Sequence, residues 1–283
     1  MPPQAGRTEP EAAAAAQFPD HQWGEAVLPA GMRLDAQIHL GAVFEVWRGR
    51  LPDGTACAIK LPRRRHRNHP GAAAWLRREH DVLAACRHPH IVRRLGLVER
   101  DACNALAMEY LPGGDLVSLA GSPPRHWARA ALEVVSALDA VHRQGYVHAD
   151  VKARNVLFDS AGRAKLADFG SALRIGRPLP AGGRTRAHEP LRFALARAEP
   201  AGDVYALAVL LYELMSGRLP YGAEPAAPTE AVPGWPPPGR NAPRALAALG
   251  ARVVQALGAA GPADIGTLME FADVLESVHC AEA

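Results

Sequence analysis

The stretch His148-Ala149-Asp150-Val151-Lys152-Ala153-Arg154-Asn155-Val156-Leu157-Phe158, with Asp168-Phe169-Gly170 following it, decides how the rest of the sequence reads. Two carboxylates, a lysine and an asparagine fall within about one hairpin's length. Such a set can hold a nucleotide's metal ions, orient a hydroxyl and neutralise a transferring phosphoryl group. The chemistry expected of it is phosphoryl transfer.

Working outward towards the N-terminus, short apolar runs separated by turns begin near Val27 and predict an antiparallel sheet. Residues 38–47 and 56–61 read as strands, with Leu51-Pro52-Asp53-Gly54-Thr55 as the turn between them. A helix is expected over 72–86, where Trp75, Leu76, Glu79, Val82, Leu83 and Cys86 recur at intervals of three and four. Glu79 therefore falls on the apolar stripe. A carboxylate there is unfavourable unless a cation meets it, and Lys60, at the end of the strand Cys57-Ala58-Ile59-Lys60, is the expected partner. The alternative is a glutamate at the stripe's edge reaching solvent. Strands over 91–99 and 102–110 complete the sheet, and Leu111-Pro112-Gly113-Gly114-Asp115 breaks it as a hinge.

Beyond the hinge the pattern turns helical. Trp127, Ala131, Val134, Val135, Leu138 and Val141 form a stripe leading into the opening stretch. A second buried helix is expected from Asp203 to Ser216-Gly217, and further helices over 244–257 and 265–278. Between them, residues 223–243 are too rich in proline for a regular element and read as an extended loop, either a partner-docking segment or a passive linker.

The 283 residues, 48% hydrophobic, suffice for one two-lobed domain or two small ones. A net charge of +3 with 22% charged residues argues against a nucleic-acid partner. The run Arg63-Arg64-Arg65-His66-Arg67 reads as a solvated loop. The longest apolar run, 204–215, contains Glu213 and falls short of the ~20 residues that cross a bilayer, so no membrane insertion is expected. The first residues lack the basic start and apolar core of a secretory signal, and residues 1–27, with an alanine tract between prolines, read as a disordered arm. Four cysteines without a CxxC pair imply free thiols in a reducing compartment, the cytoplasm of the protein's own cell or of a host.

Taken together, the motifs resemble the eukaryotic-like (Hanks-type) protein kinases over residues 28–280. That resemblance implies an α+β fold of two lobes: residues 28–111 as an antiparallel sheet with one helix, and residues 112–283 as a larger, mainly helical lobe. It also implies roles. Lys60, held by Glu79, would meet the phosphates of ATP; Asp150 would act on the substrate hydroxyl, with Lys152 beside the transferring group; Asn155 and Asp168 would bind Mg2+. Val46 and Ala58 would roof the adenine, Leu157 would floor it, Met108 would be the gatekeeper, Glu109 to Leu111 the hinge backbone, Asp115 the ribose contact and Gly41 the phosphate-loop glycine. Lys152 resembles the serine/threonine-specific branch, so protein hydroxyls are the implied substrates. The alternatives are a pseudokinase scaffold that binds nucleotide weakly, and a small-molecule kinase on a related fold.

Four departures from the family pattern bear on this. The segment Ile38 to Val46 keeps only Gly41 of three phosphate-loop glycines, with His39 and Phe44 at the outer positions. Ala149 replaces the arginine that normally meets a phosphorylated activation loop, the non-RD pattern, which removes a reason for control by such phosphorylation. Ala187-His188-Glu189-Pro190 only loosely matches the end of the activation segment, and Thr185 is the candidate residue near the substrate hydroxyl. Finally, Arg94 stands where an apolar spine residue is usual, and a one-residue slip that buries Leu95 behind the helix is expected to remove the anomaly.

Overall fold

Five short apolar segments pair as one antiparallel sheet in a computed structural model of the chain, whose described residues are 31–67, 70–100, 103–179, 188–189, 195–222, 234–235 and 244–282. The strands are β1 (Arg33–Leu40), β2 (Phe44–Arg50), β3 (Ala56–Pro62), β4 (Arg94–Arg100) and β5 (Cys103–Glu109), in the order β1-β2-β3-β5-β4. The single strand expected over 38–47 is thus two strands. Gly41 N–H donates to Phe44 O at 2.8 Å and closes a tight turn over 41–43. A side chain at Gly41 would put its Cβ 3.0 Å from that oxygen, so the turn relies on glycine's lack of one.

The register sorts the sheet's two faces, because residues opposed across an antiparallel pair, and residues two apart on one strand, point the same way. Val46 pairs with Lys60, Lys60 with Leu106 and Ala58 with Met108, so these five share one face. On the other face Cys57, Ile59, Leu61 and Ala105 form a small core of their own with Leu34, Trp47, Leu95 and Val98.

The helix α1 (Pro70–Ala85) packs on the Lys60 face and buries Leu76, Glu79, Val82 and Leu83, as the stripe predicts. Trp75 departs from that expectation. It lies one residue off the Leu76–Glu79–Leu83 line and is 40% exposed, with its ring 6.0 Å edge-on from Phe44. The expected slip at Arg94 does not occur either. A register irregularity between Arg94 and Gly96 sends Leu95 to the outer core, while Arg94 stays on the α1 side with Nη1 2.7 Å from His80 Nε2. His80 Nδ1 lies 3.1 Å from the Asp81 carboxylate, which can only accept, so Nδ1 donates there and Nε2 is free to accept from Arg94.

The second lobe contains α2 (Pro124–Arg143), α3 (Pro200–Ser216), α4 (Arg244–Leu257) and α5 (Leu268–Glu282). Two short pairs join it to the site: β6 (Tyr146–Val147) with β9 (Leu173–Arg174), and β7 (Val156–Phe158) with β8 (Ala164–Leu166). Helix α3 is apolar on every side and lies in the core, as such composition requires. It begins at Pro200, three residues before the expected start, because proline suits the first turn, and it ends at Gly217 in the left-handed conformation (φ 72°). The hinge is tied to β7 by reciprocal backbone bonds, Gly113 N–H to Phe158 O at 2.9 Å and Phe158 N–H to Gly114 O at 3.0 Å.

The arm over 1–27 and Thr185 lie outside the described residues, as does the proline-rich segment apart from Gly234 and Trp235. Trp235 lies edge-on to Tyr212 of α3 at 6.3 Å and against Gly250 of α4, where an added Cβ would come within 2.3 Å of the indole. This seats Trp235 between two helices, which composition did not reveal. Among the described residues no helix is long and apolar enough to cross a membrane.

Candidate active site

Strand β3 and helix α1 bring Lys60 and Glu79 together, as the spacing predicts: Lys60 Nζ donates to Glu79 Oε2 at 2.7 Å and also to Asp168 Oδ1 at 2.8 Å. Lys60 and Glu79 are buried, whereas the Asp168 side chain is 48% exposed. Burial pulls the Lys60 ammonium down, but the Asp168 and Glu79 carboxylates outweigh it and hold the group above the ordinary lysine range. Lys60 in turn keeps Asp168 well below the usual carboxylate range, so this aspartate is ionised at any physiological pH. Glu79 is pushed up by burial, with Lys60 opposing. Asp168 itself sits in the left-handed region (φ 61°), a conformation that aspartate tolerates better than most residues.

The opening stretch forms a second polar cluster. Asp150 Oδ2 receives Lys152 Nζ at 2.7 Å and Asn155 Nδ2 at 3.0 Å, and Asn155 Nδ2 also reaches Asp150 O at 2.8 Å. All three side chains project from one loop that closes in a 3-10 turn at Ala153–Asn155. The loop is held from below by Asp203 of α3, a residue the sequence marks only as an acid opening an apolar run. Its Oδ2 accepts the His148 backbone N–H at 2.8 Å and lies 2.8 Å from His142 Nε2, while Oδ1 accepts the Ala149 N–H at 2.8 Å. Burial would raise the Asp203 pKa, yet His142, His148 and these bonds hold it below the ordinary value. The His148 ring stacks edge-on to Phe169 at 4.6 Å. Its Nε2 faces the Ala167 carbonyl at 3.1 Å and so carries the proton, which leaves Nδ1 to accept from Asp150 N–H at 3.2 Å. Ala149 has φ 63°, unusual for alanine, and is fixed there by Asp203.

Above the site, the segment expected to be the phosphate loop is short and restrained. Phe44 places its ring 5.3 Å from Lys60 Nζ, a cation–π distance. The basic run is solvated as expected, with none of Arg64–His66 buried, and it also reaches over the turn. Arg63 N–H donates to Val43 O at 2.8 Å, Arg65 Nη2 to Ala42 O at 2.9 Å and Arg63 Nη1 to Gly41 O at 3.3 Å. Gly41 is therefore placed at the tip of a clamped hairpin.

Of the residues expected to hold adenine and ribose, Val46, Ala58 and Met108 share the Lys60 face of the sheet. Leu157 and Asp115 meet through a backbone bridge on the opposite side of the hinge, and Leu111 is buried at the hinge itself. The Glu109 carboxylate, rather than its backbone alone, has a partner: Oε1 accepts from Lys165 Nζ of β8 at 2.7 Å and from Arg93 N–H at 2.7 Å. This tie fastens the hinge to both lobes.

His188, from the end of the activation segment, had no visible role in the sequence. It is 8% exposed, and neither ring nitrogen has a hydrogen-bond partner among the described residues. With Ala149, Asp150, Glu199 and Asp203 it lines a cavity of about 40 Å³ beneath the catalytic loop. Burial pushes its pKa down to about 4, with Asp150 opposing and Lys152 adding to the shift. The unfolded chain, with an ordinary histidine, then binds more protons than the fold between pH 6.5 and 4. Stability is therefore highest above pH 6.5 and falls through that window, by roughly 3 kcal/mol for a shift of this size. Urea midpoints measured at pH 7 and pH 4.5 should show this fall, and His188→Gln should make it shallower. An equal fall in both proteins would assign the acid sensitivity elsewhere.

A family model described as the protein kinase domain matches residues 35–231, more than half of the chain. The Rho-associated protein kinase 1 of rabbit (Oryctolagus cuniculus), of mouse (Mus musculus) and of human (Homo sapiens) are each 34% identical to it over 164 residues, which cover 54% of this chain and 12% of the relative. The chain thus spans about an eighth of the length of these curated relatives. The lysine, glutamate and two aspartates of the two polar clusters all lie within the matched region, and the chain belongs to the eukaryotic-like (Hanks-type) protein kinases.

Proposed function

We propose that the chain transfers the γ-phosphoryl group of ATP to serine or threonine hydroxyls of protein substrates, with Mg2+. The observation that carries this reading is the joint assembly of the Lys60–Glu79–Asp168 cluster and the Asp150–Lys152–Asn155 cluster. The residues fit the metal. Asp168 is ionised, half-exposed and uses only Oδ1 on Lys60, while the Asn155 amide nitrogen is committed to Asp150, so its oxygen remains as a ligand. Mg2+ bound there would neutralise charge on the phosphates. Lys60 would hold the phosphates in place, Asp150 would accept or orient the proton of the substrate hydroxyl, and Lys152 would offset charge beside it. Since Ala149 offers no guanidinium to a phosphorylated loop, we infer that activity does not depend on activation-segment phosphorylation. A cytoplasmic setting accords with the buried free thiols Cys57 and Cys86. The proline-rich segment is a further proposal, as a docking site for protein partners. Phosphate incorporation from MgATP into a generic basic protein, read by intact mass beside the Asp150→Asn form, tests the reading; no incorporation by the unmutated protein would sink it.

A second reading, a scaffold that binds nucleotide weakly, is favoured by one observation: the Phe44 ring occupies the space over Lys60. If the ring competes with phosphates, Phe44→Gly should enlarge the thermal shift produced by MgATP by several degrees. An unchanged or smaller shift would show that the ring is a permanent roof that nucleotide does not displace.

A further inference from the structure

Glu79 is the residue of α1 that meets Lys60, but the residue before it makes a separate contact. Arg78 Nη2 donates to the backbone carbonyl of Gly170 at 2.6 Å, across 92 residues of sequence. Arg78 is not a solvated surface arginine. Its Nε is buried with no partner among the described residues, so the side chain is committed inward. Burial also draws its pKa down, with Glu79 opposing.

The carbonyl it holds belongs to the turn that carries Asp168. Gly170 is pressed against the charged cluster: a Cβ there would lie 3.3 Å from Asp168 Oδ1, 3.4 Å from Lys60 Nζ and 3.5 Å from Glu79 Oε2. A shift of Gly170 therefore shifts the metal-binding carboxylate. Helix α1 grips this turn at both ends, at the Asp168 carboxylate through Glu79 and Lys60, and at the Gly170 carbonyl through Arg78.

We propose that Arg78 is a positioning residue that sets the Asp168–Gly170 turn for metal and nucleotide directly from α1, without a phosphate on the activation segment. This rests on the kinase reading for its consequence, though not for its geometry. The guanidinium is a charged donor to a part-buried carbonyl, a class of bond about twice as strong as a neutral one. Ala149, whose side chain is a methyl, offers this turn nothing comparable.

The test uses Arg78→Met, which keeps the length of the side chain and removes its donors, and Arg78→Lys, which keeps one charged donor. In nucleotide-free, metal-free protein, hydrogen–deuterium exchange of a peptide spanning Asp168 to Ala172 should quicken about tenfold in Arg78→Met and by less in Arg78→Lys. Exchange in α3 serves as the control for global stability and should stay unchanged. In the phosphotransfer assay, the Mg2+ concentration for half-maximal rate should rise several-fold in Arg78→Met, with kcat at saturating Mg2+ reduced less. Phosphatase treatment beforehand should leave the effect of the substitution intact. Unchanged exchange in the 168–172 peptide, faster exchange everywhere, or an effect that vanishes after dephosphorylation would each overturn the proposal. Absence of phosphotransfer in the unmutated protein would remove the kinase reading and leave the exchange result to decide the positioning role.

Discussion

Replacing Asp150 with asparagine should lower phosphate incorporation on the order of 10²–10⁴-fold, the range lost with a positioned acid or base, while leaving the fold intact. The substitution is nearly isosteric. The asparagine oxygen can still accept from Lys152 and from Asn155, which now meet Asp150 Oδ2 at 2.7 and 3.0 Å, so the loop keeps its shape. What disappears is the negative charge that, on the proposed mechanism, draws the hydroxyl proton. Incorporation by intact mass, with a thermal melt on the same sample, separates the two effects. A variant that melts normally yet keeps more than about a tenth of the wild-type rate would remove Asp150 from the chemistry.

The largest effect on stability is expected from Lys60→Met. Glu79 is 1% exposed and has Lys60 as its ion-pair partner, so removing the ammonium leaves a buried, uncompensated carboxylate. Breaking a buried pair in this way costs about 3–5 kcal/mol. Asp168 suffers less, because its half-exposed side chain can recover solvation. In a chain of this size the loss corresponds to a fall in Tm of roughly 6–20 °C. Adding Glu79→Gln should restore much of it, since the charge is then gone from both sides. The sign with pH follows from the two shifts. The raised Lys60 contributes fully below the ordinary lysine pKa and is lost on rising through its folded value; the lowered Asp168 contributes above the ordinary aspartate pKa and is lost on falling through its own. Neutral pH lies inside both windows, so the melts belong there. A Lys60→Met protein within about 2 °C of wild type, or a double variant less stable than the single, would refute the account.

Much of the site was legible because its chemistry conflicts with its local pattern. Glu79 interrupts an apolar stripe, where a carboxylate is unfavourable without a cation; Lys60 stood at the end of a buried strand. The helices α2 and α4 were legible because each buries one continuous face. Other features depend on contacts between residues distant in sequence. Nothing near Arg94 announces the irregularity that leaves it bonded to His80 and sends Leu95 outward. Arg63 and Arg65 look like any basic run until the β1–β2 turn folds back beneath them. That turn was itself misread, because residues 38–47 are apolar enough for one strand and the break depends on a single close approach at Gly41. Trp75 and Phe44 are each unremarkable alone, and their contact exists only once the sheet and α1 meet.

The grip of Asp203 on the catalytic loop uses the backbone N–H groups of His148 and Ala149, not their side chains. Position 149 is therefore free to vary in identity as long as it donates an amide and adopts a positive φ. Arginine could be exchanged for alanine there without relocating Asp150, the next residue along the chain. A loop anchored this way separates the side chain at position 149 from the placement of its neighbours, so that substitution at that single site can leave the Asp150–Lys152–Asn155 geometry intact.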